Sequence, residues 1–166
     1  STSPTTSPIH PPAEGRRAVN FEPSPEWTDL AERTRAFVAE RIVPLEADPR
    51  WGDHGPSEAF RRELDALARG AGLFCPTGPV AYGGLGLGHL ARSFVFEAAG
   101  YSVLGPLALH CAAPDEGNMH LLEVVGNAAQ RERYLRPLAE GARSCFCMTE
   151  RDGAGSDPSL LSTLAR

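Results

Sequence analysis

Apolar positions recur at three- and four-residue steps through Trp27, Leu30, Thr34, Phe37, Val38, Ile42 and Leu45. This spacing predicts a helix with one buried face. Ser24-Pro25 suits its start, a capping hydroxyl followed by proline at the first helical position, and Pro44 is placed to kink or end it. A second helix is predicted from Ser57, with Phe60, Leu64, Leu67 and Ala68 on its buried side and the Gly70 and Gly72 pair at its end. Further helical stretches follow over 89–99, 107–111 and roughly 115–125. Asp115 and Glu116 complement the positive end of the last of these. Asn127 caps another helix, with Gln130 as its capping-box partner, and Arg131, Arg133 and Arg136 read as a solvated face. Residues 144–149 (SCFCMT) differ: Cys and Phe with a Met and no breaker predict a short buried strand.

The expected architecture is therefore an all-α bundle of about five or six helices followed by the first strand or strands of a mainly β domain. A Ser/Thr/Pro-rich leader is expected over 1–23, because ten of the first twelve residues are Ser, Thr or Pro and such a stretch buries too little apolar surface to offset ordering. The helical domain is expected over 24–141 and the start of the β domain over 142–166. A strand at 144–149 with no partner in the chain would leave unpaired edges. The chain reads as the front part of something larger.

Charge and composition narrow the function classes. The net charge is −5, and the arginines are interleaved with Glu and Asp, which argues against a nucleic-acid partner. No apolar run reaches the length of a membrane span, and no signal peptide is visible, so a cytoplasmic location is expected. All sixteen basic residues are Arg. A P-loop lysine, a Schiff-base lysine and an S-x-x-K hydrolase are thereby excluded in this segment. Cys75, Cys111, Cys145 and Cys147 show no C-x-x-C pair and no histidine at metal-ligand spacing, so no metal site is expected and all four read as buried, reduced thiols.

Two glycine-rich stretches invite chemistry. In Tyr82-Gly83-Gly84-Leu85-Gly86-Leu87-Gly88, a G-x-G-x-x-G fingerprint from Gly84 would need glycine where His89 stands, so a structural loop is expected. The second stretch follows the expected strand. Unpaired backbone groups at Met148 and Thr149 can hydrogen-bond the rim of a flat heterocycle, and the Thr149 hydroxyl adds a rotatable donor or acceptor. Asp152-Gly153-Ala154-Gly155-Ser156-Asp157 can then turn backbone amides toward an anion such as a pyrophosphate. Composition alone equally admits a strand followed by an ordinary turn. Among possible acid-base groups, His110 reads as a satisfied structural histidine. Asp115 and Glu116, adjacent on a helix, do not face each other.

The segment Cys145-Phe146-Cys147-Met148-Thr149-Glu150 with Gly155-Ser156-Asp157 resembles the flavin-binding signature of the acyl-CoA dehydrogenase family. The likeness extends to Gly83-Gly84-Leu85-Gly86, to Ala113-Pro114-Asp115-Glu116-Gly117-Asn118-Met119, and to Gly126-Asn127-Ala128-Ala129-Gln130 through Leu135-Arg136-Pro137-Leu138, in the family's order over roughly residues 25 to 166. The middle block is most similar to a branch that includes enzymes fused to a kinase-like domain. The resemblance implies an FAD-dependent α,β-dehydrogenation of an acyl-CoA to a trans-2-enoyl-CoA. It implies FAD contacts from Phe146, Met148, Thr149, Gly155 and Ser156. An acyl pocket would be lined by Leu109, His110, Ala113 and Gly117, with Ser156 also near the CoA thioester. The family's catalytic glutamate belongs to a later helical domain, so no catalytic residue is assigned here and this segment alone is expected to be inactive. An electron-transfer flavoprotein-like acceptor and a homodimer or homotetramer are further implications. Arg151 stands where the family usually has proline, and either a pair with Asp152 or a phosphate contact would suit it. Two other readings stay open: a helical interaction module without redox activity, and the front of an acyl-CoA oxidase-type flavoprotein.

Overall fold

The computed structural model describes residues 22–52, 55–153, 155 and 157–164. All but the last two residues of the expected leader lie outside these, as do His54 and Ser156. Ser24 caps α1 (Pro25–Phe37), its hydroxyl accepting the Trp27 N–H at 3.3 Å. The helix changes character before Pro44 and again at it. It widens into a π-helical turn, Val38–Ile42, and then tightens into a 3-10 segment, Val43–Ala47, in which Pro44 occupies the first turn, where its missing N–H has no helical partner to lose. Ala31, Thr34, Phe37, Val38 and Ile42 are buried along this run.

A two-stranded antiparallel hairpin, β1 (Trp51–Gly52) and β2 (Gly55–Pro56), precedes α2 (Glu58–Gly70) and has no clear periodic signal in the sequence. Ser57 caps α2 through the Phe60 N–H. At its far end Gly72 adopts a left-handed φ of +69°, while the Leu73 N–H reaches the Ala68 carbonyl and the Gly72 N–H that of Arg69. That is a Schellman ending, and the buried Leu73 and Ala68 side chains complete it.

The glycine-rich run after the short 3-10 turn Val80–Tyr82 is a structural loop. The six successive amides from Tyr82 to Leu87 each donate to a backbone carbonyl of residues 75–80. Gly84 lies so close to the Gly78 backbone that a Cβ there would overlap it. Beyond the loop come α3 (His89–Ala99), α4 (Gly105–Ala108) and α5 (Asp115–Val125). Asn127 and Gln130 form the expected capping box at α6 (Ala128–Gln130), with both bonds at 2.9 Å. A second π-helical turn, Arg131–Leu135, leads into α7 (Arg136–Ala139).

One core unites these helices. Phe37, Val38, Ile42, Phe60, Leu64, Leu73, Val95, Leu104, Leu109, Met119, Leu135 and Leu138 are all buried in it. α1 packs on α3, α2 on α4, and α5 on the α6–α7 run. A polar seam closes the side facing the end of α7. Arg61 bonds Asp65 at 2.7 Å and the Gly141 carbonyl at 3.1 Å, and Arg69 bonds the Glu140 carbonyl at 2.7 Å. Arg69 also lies 3.6 Å over the Phe74 ring, which in turn stacks on His110 at 5.2 Å.

The strand expected at 144–149 is not formed. Residues 142–150 run without ladder bonds among the described residues, because the chain places no neighbouring strand beside them. Two of the four cysteines follow from this. Cys75 and Cys111 are buried as expected, but Cys145 and Cys147 are exposed, since no sheet or helix covers the segment that carries them. Among the described residues, no helix is long and apolar enough to cross a membrane.

Candidate functional site

The first turns of α5 and the segment after α7 are built together. Gly141, at φ +107°, ends α7, and the chain leaves it heading past the N-terminal end of α5. There Asp115, 4% exposed, accepts from both the Ser144 N–H at 2.6 Å and the Ser144 hydroxyl at 2.7 Å. Asn118, one turn on, donates to the Ser144 hydroxyl at 2.8 Å and to the Cys145 carbonyl at 3.3 Å. Arg143 approaches the other Asp115 oxygen at 3.6 Å. The expected dipole role of Asp115 is thus joined by a tertiary one. Glu116 pairs separately with Arg92 at 3.3 Å, so the two adjacent acids face different partners.

Sequence reasoning missed this clamp. Asp115, Asn118 and Ser144 belong to two blocks 25 or more residues apart, and a polar position after a proline reads first as a cap. A signal was present nonetheless: an Asp and an Asn at i and i+3 share one helix face, and a serine opens the later block.

Beyond the clamp, Phe146 is 62% and Met148 40% exposed. The backbone N–H groups of 146–149 donate to nothing among the described residues. Thr149 and Gly155 are brought together, since a Cβ on Gly155 would sit 3.0 Å from the Thr149 methyl. Glu150 gathers the chain end: its carboxylate accepts from the Ser162 N–H and hydroxyl at 3.0 Å and the Thr163 N–H at 2.6 Å. The Thr163 and Ser162 bonds hold its pKa down to about 2. Arg151 lies 3.9 Å from Asp152 with both side chains 95% exposed, an ion pair of little weight in water.

The candidate acyl-side residues separate. Leu109 is fully buried, and its carbonyl accepts the Cys75 N–H at 2.8 Å. His110 is buried against Phe74 with Nε2 donating to the Leu138 carbonyl at 2.7 Å, and burial holds its imidazole below the ordinary pKa. Ala113 and Gly117 are exposed, and a Cβ on Gly117 would meet open space. On the neighbouring side of α5 a groove of about 410 Å³ runs between Asn118, Leu121, Leu122, Tyr134, Leu138 and Cys145. The arrangement thus offers free hydrogen-bond donors and an exposed aromatic beyond the clamp and a shallow apolar groove lined in part by the clamp's own Asn118 and Cys145. Free backbone N–H groups and an exposed ring are the kinds of group that the rim and face of a flavin call for.

Residues 24–142 match the family profile of the acyl-CoA dehydrogenase N-terminal domain. The chain is 35% identical over 176 residues to mouse acyl-CoA dehydrogenase family member 10, covering 97% of this chain and 16% of that protein. It is 34% identical over 155 residues to FadE2, named as an acyl-CoA dehydrogenase, of Mycobacterium tuberculosis, covering 87% and 37%. A solved structure described as an acyl-CoA dehydrogenase from Mycobacterium abscessus superposes with a TM-score of 0.68 at 35% identity, over 84% of this chain and 38% of the other. The chain spans well under half the length of each of these relatives.

Proposed function

The chain belongs to the acyl-CoA dehydrogenase family, and from that premise we propose that it supplies one wall of a flavin and acyl-CoA site. The whole protein would be an FAD-dependent dehydrogenase that converts an acyl-CoA to a trans-2-enoyl-CoA and passes electrons to an electron-transfer flavoprotein-like acceptor. The observation that carries this is the clamp from Asp115 and Asn118 to Ser144 and Cys145, which fixes the free-donor segment against the helix bearing Gly117.

In this reading Phe146 lies against the isoalloxazine, the Met148 and Thr149 backbone and the Thr149 hydroxyl hydrogen-bond its rim, and Gly155 with Ser156 approaches the pyrophosphate. Ala113 and Gly117 leave room for the acyl chain, while Leu109 and His110 act from behind as packing. Bound FAD would take up the β-hydrogen as hydride while a carboxylate base takes the α-proton. Asp115 is not that base, since its oxygens already serve Ser144 and Arg143.

The test is visible flavin absorbance of the purified native protein carrying these residues, followed by anaerobic addition of acyl-CoA. Absorbance that bleaches supports the reading, and peroxide formed on readmitting air would move it to an oxidase. A protein that never takes up flavin sinks it in favour of a helical interaction module, which the exposed Leu121, Val124 and Val125 on α5 would suit.

A further inference from the structure

The four cysteines fall into two chemically different pairs. Burial pushes the Cys75 and Cys111 thiols up to about 11 and about 12, so neither is a nucleophile at neutral pH. Cys145 and Cys147 are exposed, and their sulfurs lie 3.8 Å apart, within reach of a weak S–H···S contact. A single residue, Phe146, separates them, and side chains two apart on an extended chain leave the same face.

In a regular strand the two Cα atoms would be about 6.6 Å apart, at the upper end of the roughly 4.4–6.8 Å that a disulfide spans. A paired strand would hold them there. Here the amides from Phe146 to Thr149 donate to nothing among the described residues, and only the Cys145 carbonyl is held, by Asn118. The backbone between the sulfurs is therefore free to pucker by the fraction of an ångström that closure asks. We propose that Cys145 and Cys147 form a reactive dithiol that closes to a disulfide under a small-molecule disulfide oxidant and is reopened by thiols.

The exchange balances in two steps. Cys145 loses its proton to solvent, attacks one sulfur of the oxidant, forms a mixed disulfide and expels one thiolate. Cys147 then releases its proton to solvent and attacks the Cys145 sulfur, and the second thiolate leaves. The chain gives up two electrons and two protons, and the oxidant is reduced to two thiols. Phe146, inside the closed ring, is held on the face opposite the sulfurs.

Arg143 and Arg151 frame both cysteines in one tryptic peptide, Ser144–Arg151, apart from Cys75 and Cys111, and this makes the test direct. The purified chain is treated with glutathione disulfide, blocked with an alkylating agent and digested. The expected result is a Ser144–Arg151 peptide lighter by two hydrogens, unalkylated, and restored by dithiothreitol. Cys147→Ser should instead stop at one glutathione on Cys145. Phenylarsine oxide, which bridges neighbouring thiols, should bind the reduced chain one to one and fail on either serine variant. Two stable glutathione adducts on the wild-type peptide, full alkylation after oxidant, or a disulfide joining two chains would each overturn the proposal.

Discussion

Asp115 is the residue on which the candidate site hangs. It is nearly buried and holds two donors of Ser144 within 2.7 Å. Asp115→Ala leaves a half-buried N–H and hydroxyl without their acceptor and should destabilise by about 1–2 kcal/mol, read as a shift of the urea midpoint without change of slope. Tryptic cleavage after Arg143 should quicken in the same variant. An unchanged cleavage rate would mean that Ser144 is held by something else. His110 makes a pH prediction. Burial lowers its folded pKa below the ordinary 6.5, so the unfolded chain takes up a proton first as pH falls. Stability is then full above about 6.5 and declines below it. Urea midpoints followed from neutral to mildly acid pH should show the decline, and His110→Gln should lose the part of it that begins near 6.5.

Helices were readable from spacing and caps because both depend on neighbours within one or two turns. Ser24, Ser57 and the Asn127–Gln130 pair cap where their sequence context says they should. The π-helical turn over 38–42 was not readable, since no residue type there marks it, whereas the change to a 3-10 segment falls at the Val43-Pro44 step, where the proline announced a break. The strand at 144–149 failed for a related reason: a strand needs a partner, and composition reports only the willingness to be one. The two glycines of greatest interest differ sharply. Gly84→Ala forces a Cβ into the Gly78 backbone and should cost about 3 kcal/mol. Gly117→Ala meets open space inside a helix and should raise stability by about 0.5–1 kcal/mol. If Gly117 lines the acyl pocket, that stabilised variant should turn over bulky acyl-CoA substrates less well in the flavin-loaded enzyme, and equal turnover would remove it from the pocket.

At the scale of the molecule, a helical body with one core carries an extended end with very little burial. Limited trypsin digestion should therefore cut first after Arg151, whose side chain is 95% exposed, and leave the body through Arg143 intact. Early cuts at Arg61 or Arg69 would contradict the seam that ties α2 to the end of α7. What the sequence could not reveal at this scale is the convergence of its motif blocks, because Asp115 and Ser144 meet only once every helix between them has packed. If the proposed function holds, that convergence makes the first turn of α5 common ground for two ligands. On that reading, a molecule leaning on Gly117 and one lying on Phe146 would both press on these few hydrogen bonds, and their affinities would then be thermodynamically tied. Whatever factor acyl-CoA applies to the dissociation constant of FAD, FAD must apply equally to that of acyl-CoA, and loosening Asp115 should bring that factor toward one.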